Sequence, residues 1–133
     1  MFTRAYIATL VTFLIVDIAW ISLVLIDVYR DTLGDLMRDQ PAGAAGAAFY
    51  LAYTAGIVHL AVRPALGKGS VGSAAVNGAI LGALAYGTYT VTNYTIFDRW
   101  TLTLLISDIA WGAFLTAVCA VAGFYAGRTA LDN

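Results

Sequence analysis

An all-α integral membrane fold, a four-helix up-down bundle with a short interfacial amphipathic segment between spans one and two, follows from three observations. The chain is 61% hydrophobic and 11% charged, where a soluble domain carries about 25% charged residues, and its mean hydropathy is +0.82. Four apolar runs, near residues 5–29, 44–62, 73–94 and 101–125, each reach the roughly 17–25 residues that a helix needs to cross a bilayer. The links between them are short, so consecutive helices run antiparallel, and each satisfies its own backbone polar groups in lipid. Residues 1–133 read as a single four-span transmembrane domain.

The first run is longer than the apolar core of a secretory leader, and it holds Asp17 with no clear small-residue cleavage site after it. It is expected to remain as a span. Beyond it, Tyr29, Leu33, Leu36 and Met37 recur at helical spacing, while Arg30, Asp31, Asp35, Arg38 and Asp39 fall largely elsewhere. This pattern predicts a short amphipathic helix lying in the interface, interrupted at Gly34 and ended near Pro41. A solvated loop is the alternative for so short a segment.

The second run opens on Ala44, Ala48, Ala52 and Gly56, the third carries Ala74, Gly78 and Gly82, and the fourth closes on Gly123 and Gly127. Small residues four apart let helix backbones approach closely in lipid. These ladders are expected to hold the bundle together, with a homodimer through them as the sharper reading. Arg63-Pro64 is expected to end the second span, and Lys68 with the glycines and serines around it to form a turn. Arg4, Arg63, Lys68 and Arg128 fall on the side of the termini, against Arg30, Arg38 and Arg99 opposite. That excess of one charge places both termini in the cytoplasm. Trp100 and Tyr125 bracket the last span in the manner of interface anchors.

Composition also removes function classes. Seven basic residues scattered singly and a net charge of −1 argue against nucleic acid as a partner. The single Cys119 excludes an internal disulfide and a cysteine metal cluster, and its place in an apolar run suggests packing rather than reactivity. His59 stands alone near the end of its span, which is a poor metal signal. No metal site and no particular cofactor are indicated.

The informative residues are two carboxylates. Leu14-Ile15-Val16-Asp17-Ile18-Ala19-Trp20 recurs 91 residues later as Leu105-Ile106-Ser107-Asp108-Ile109-Ala110-Trp111, with six of seven positions identical. A charge at the bilayer centre costs about 2.5–3.5 kcal/mol on insertion scales, so an acid there is a functional candidate by default. At 1.5 Å per residue, Asp17 and Asp108 lie about 18 and about 19 Å from the cytoplasmic side, at matched depth on antiparallel helices. Each has a tryptophan at i+3, on its own face. The expected ligand-binding chamber takes Asp17, Trp20, Asp108 and Trp111 from the first and fourth spans. From the second it takes Tyr53, and from the third Tyr86, Tyr89 and Asn93, a face spaced i, i+3, i+7. The plainer alternative makes both acids interhelical fasteners, worth about 0.6 kcal/mol each.

Several stretches together resemble one family. They are Tyr29-Arg30 with Leu33-Gly34 and Leu36-Met37, Phe49-Tyr50 through Gly56 to Arg63-Pro64-Ala65-Leu66, Tyr86-Gly87-Thr88-Tyr89 with Thr92-Asn93, and Trp100 followed by Asp108-Ile109-Ala110-Trp111-Gly112. The chain is identified by them as a member of a bacterial family of small predicted membrane proteins, catalogued as a domain of unknown function under the family number 2177. The resemblance implies four spans and a bacterial inner membrane, and brings no activity with it. In one place the chain departs from the family pattern, where an Asp commonly follows Gly-Thr-Tyr and this sequence has Thr90.

The leading expectation is an inner-membrane protein whose polar, aromatic-lined chamber binds or transports a small or amphipathic molecule, with proton linkage included. An intramembrane enzyme acting on a lipid or isoprenoid is the alternative from another class, with Asp17 and Asp108 as general acid and base. A third reading is a non-catalytic subunit of a larger membrane complex. Expected partners are membrane lipid, the small amphipathic ligand and a second copy of the chain.

Overall fold

The computed structural model describes residues 1–40 and 42–132, with side chains through Thr129. Four helices, α1 (Phe2–Leu36), α2 (Gly43–Lys68), α3 (Val71–Ile96) and α4 (Leu102–Asp132), are long and apolar enough to cross a membrane. Among the described residues there is no strand. The chain is a multi-pass membrane bundle. α4 is its axis, packed along α3 on one side and α1 on the other. The second half of α2 sits against α3, whereas its first half touches its neighbours only lightly.

The buried faces repeat every fourth residue. Ala5, Thr9, Phe13 and Asp17 form the row on α1, and Ala74, Gly78, Gly82 and Thr90 mark the row on α3. On α4 the row is Leu104, Asp108, Gly112, Thr116, Ala120 and Phe124. Side chains four apart form ridges that fit the grooves of a facing helix, and small residues within them bring backbones together in lipid. A Cβ on Gly78 would stand 2.7 Å from the Thr116 carbonyl oxygen, and one on Gly82 would run into the Gly112 carbonyl oxygen. Gly127 of α4 meets Leu66 of α2, where an added Cβ would lie 2.9 Å from the leucine side chain.

The α2 ladder behaves differently. Ala44, Ala48 and Ala52 are exposed, and nothing lies within 4 Å of a Cβ built on Gly56. That row lies on the outer surface and does not hold this bundle together, because α2 turns the larger side chains of Tyr53, Ile57 and Val58 inward instead.

One further expectation is corrected. Arg63-Pro64 does not end the second span: the helix continues to Lys68 and stops at Gly69, whose φ of 66° is the left-handed conformation that favours glycine. Proline lacks the N–H that an α-helix needs, and the turn before it, Val58–Val62, is a π-helix, a common way for a helix to absorb a local irregularity. Ser70 then caps α3, its side chain accepting from the Ser73 N–H at 3.2 Å.

The expected amphipathic segment after span one is present: it continues α1 as helix and is interrupted at Gly34, whose φ is 53°. α1 passes from a π-helix at Ile21–Leu25 into α-helix over Ile26–Leu33 and ends in a 3₁₀ turn at Gly34–Leu36; Pro41 lies outside the described residues. Arg99, in the α3–α4 link, donates to the Leu33 carbonyl at 3.0 Å and to Asp35 at 2.7 Å, tying the end of α1 to that link. Both partners are largely exposed, and exposed pairs add little to global stability. Arg99→Ala is expected to speed amide hydrogen exchange around 33–36 while leaving the thermal unfolding midpoint unchanged. A clear drop in the midpoint would contradict this local role.

Candidate functional site

Asp17 and Asp108 are 5% and 4% exposed, and both border one cavity of about 200 Å³. All four helices wall it: Ile21 and Leu25 from α1, Phe49 and Tyr50 from α2, Tyr86 and Tyr89 from α3, Trp111 from α4. The packing row on α1 delivers the first acid, since Asp17 follows Ala5, Thr9 and Phe13 at the same spacing. Gly112 seats one of the aromatics, because the Tyr86 ring lies where a side chain at Gly112 would stand.

Each carboxylate has its own donors. The Trp111 indole Nε1–H donates to Asp17 Oδ1 at 3.3 Å, and the Tyr50 hydroxyl faces the same carboxylate. Asp108 ends a relay of fixed direction. The Trp100 Nε1–H donates to Thr90 Oγ1 at 3.0 Å, and Thr90 donates in turn to Asp108 Oδ2, also at 3.0 Å. Thr90 is wholly buried and Trp100 nearly so. Beside this relay the hydroxyls of Tyr29 and Tyr89 adjoin one another near Asp108. Among the residues bordering the cavity there is no lysine, arginine or histidine.

A family model described as predicted membrane protein, DUF2177, matches residues 2–125. The chain belongs to that family. No curated protein and no solved structure matches it.

In this DUF2177 chain five of the eight expected chamber residues border one space: Asp17, Tyr86, Tyr89, Asp108 and Trp111. The other three lie elsewhere. Trp20 stacks on the outer side of Trp111, with ring centroids 4.3 Å apart and planes 11° apart, and borders a groove that faces lipid. Tyr53 is buried outside the cavity wall, its hydroxyl 2.7 Å from Thr116 Oγ1 and its ring edge-on to Phe13. Asn93 is absent from the wall, and its carbonyl accepts the Phe97 N–H at 2.8 Å. Trp100, expected as an interface anchor, is instead inside the bundle because Thr90 offers its indole an acceptor.

Four residues around the two acids lie outside the chamber expected from the sequence: Tyr29, Tyr50, Thr90 and Trp100. A signal for two of them was present. The row Ala5, Thr9, Phe13, Asp17 extends by fours through Ile21 and Leu25 to Tyr29, and Gly78, Gly82, Tyr86 extends to Thr90. An i, i+3, i+7 face selects Trp20 and Asn93 in their place.

Proposed function

We propose that this is a protein of the bacterial cytoplasmic membrane, with both termini in the cytoplasm, whose chamber binds or carries a small or amphipathic molecule. The observation that carries the reading is the pairing of Asp17 and Asp108 across one cavity of about 200 Å³ while each is at least nine-tenths buried. Fasteners need no cavity between them. Interhelical hydrogen bonds average about 0.6 kcal/mol in lipid, less than the insertion cost of about 2.5–3.5 kcal/mol for a charged acid. Polar groups converging on an apolar, aromatic-walled space are the common form of a small-molecule site. Proton linkage belongs to the same reading, since an acid that exchanges a proton with its ligand couples binding to pH.

The test is occupancy. Wild-type protein purified in dodecyl maltoside should retain a small or lipid-like molecule at about one per chain by native mass spectrometry, an expectation for a site that encloses its ligand. Asp17→Ala and Asp108→Ala should lose it while keeping helical circular dichroism. Equal occupancy in a folded double variant would remove the chamber reading.

A further inference from the structure

We infer that the chamber takes an amphipathic ammonium cation, with its small charged head between Asp17 and Asp108 and an apolar tail in the groove between α1 and α2. The inference rests on the chamber reading above and gives its ligand a chemistry.

The head follows from charge and from what the wall lacks. A buried carboxylate needs a partner, and no basic side chain borders this cavity. Asp108 receives its one side-chain hydrogen bond through Oδ2, which leaves Oδ1 for an occupant. Tyr50, Tyr86 and Trp111 add aromatic faces around the two acids, and such faces attract ammonium groups within about 6 Å. An anionic head would instead meet two acids and no cation, so a phosphorylated lipid or isoprenoid does not suit this site. A cavity of about 200 Å³ holds about six water-sized units at about 30 Å³ each, enough for a trimethylammonium group.

The tail follows from the gap beside it. A groove of about 440 Å³ between α1 and α2 is bordered by Leu10, Leu14, Gly46, Ala47 and Leu51, and by Tyr50, which also borders the chamber. The glycine and alanine there leave room for a chain, and the first half of α2 packs lightly against the rest. One side chain therefore stands between the acidic chamber and an apolar slot open to the bilayer.

Three probes of equal tail length test this in dodecyl maltoside by competitive native mass spectrometry: dodecyltrimethylammonium, dodecanol and dodecyl phosphate. The ammonium should bind one per chain, at least tenfold more tightly than the alcohol, and the phosphate should not bind. Tetramethylammonium, which has no tail, should be at least tenfold weaker. Asp108→Asn should weaken the ammonium at least tenfold and leave dodecanol unchanged. Should that variant fail to fold, the order of the probes on the wild type decides alone. Dodecanol binding as tightly as the ammonium would overturn the cationic head and leave the chamber standing. Tetramethylammonium matching its long homologue would overturn the tail groove, and binding of none of them would overturn chamber and ligand together.

Discussion

Replacing Gly82 with alanine is expected to cost about 1–3 kcal/mol, the usual cost of overpacking, and replacing it with leucine should prevent α3 and α4 from assembling. The Gly82 Cα faces the Gly112 backbone so closely that an added Cβ would overlap the Gly112 carbonyl oxygen and press on Thr116 Oγ1 at 2.7 Å. Neither neighbour can move away cheaply. The first is main chain inside a helix, and the second is held by its bond to Tyr53. Relief must come from separating the two most closely packed helices, which also carry Tyr86, Tyr89 and Asp108 into the chamber. Gly56→Ala is the control, since its Cβ would meet nothing within 4 Å. Thermal unfolding in detergent should show a large loss for Gly82 and none for Gly56. Equal stability of wild type and Gly82→Leu would mean that α3 and α4 do not pack through this row.

Thr90→Val should destabilise the bundle by about 1–3 kcal/mol for each buried group it orphans. It orphans two. Valine preserves the shape of threonine but can neither accept the Trp100 N–H nor donate to Asp108, and both bonds are buried. Thr90→Ser keeps the hydroxyl and should recover most of the loss, apart from the small cost of one missing methyl. A separate optical readout distinguishes this from general damage. Trp100 lies 5.7 Å from the Tyr29 ring, so release of its indole should change the near-ultraviolet circular dichroism in the valine variant and not in the serine one. Valine and serine variants of equal stability would show that the relay contributes nothing to holding Asp108.

The relay also gives a role to the residue that follows Gly87-Thr88-Tyr89. Thr90 bridges Trp100 and Asp108 across two helices and their link. A neutral hydroxyl in that place gives Asp108 a donor, where a carboxylate would add a like charge beside it.

The spans were legible because spanning a bilayer is a matter of length and mean composition, and both are properties of a run rather than of a face. The inward face was not. Asp17 and Asp108 announced themselves by the cost of placing a charge in lipid, and Trp111, Tyr86 and Tyr89 followed by proximity. The i, i+3, i+7 face suits helices that cross at shallow angles, whereas rows of small residues four apart set the contacts here. That change of spacing moved Trp20 and Asn93 off the wall and Tyr29 and Thr90 into the site. Tyr50 was harder to find for another reason. Both Tyr50 and Tyr53 stand near the required level, and only the packing of Tyr53 against Thr116 and Phe13 assigns the two their different roles.

The π-helix at Ile21–Leu25 sets the phase of everything beyond it. At about 100° per residue, two positions twelve apart on an α-helix point about 120° away from each other. Asp17 and Tyr29 are twelve apart, yet the tyrosine also turns into the bundle, its ring 5.7 Å from that of the buried Trp100. The wider turn between them holds one residue more than an α-turn and takes back most of that angle. Chain length at this point thus acts as a vernier. One residue fewer would leave a sound apolar helix of nearly the same span, but would swing Tyr29 toward lipid and shift Arg30 through Leu36 past the link that Arg99 ties down. Hydropathy would register no difference between the two helices. The bundle distinguishes them by which residues look inward.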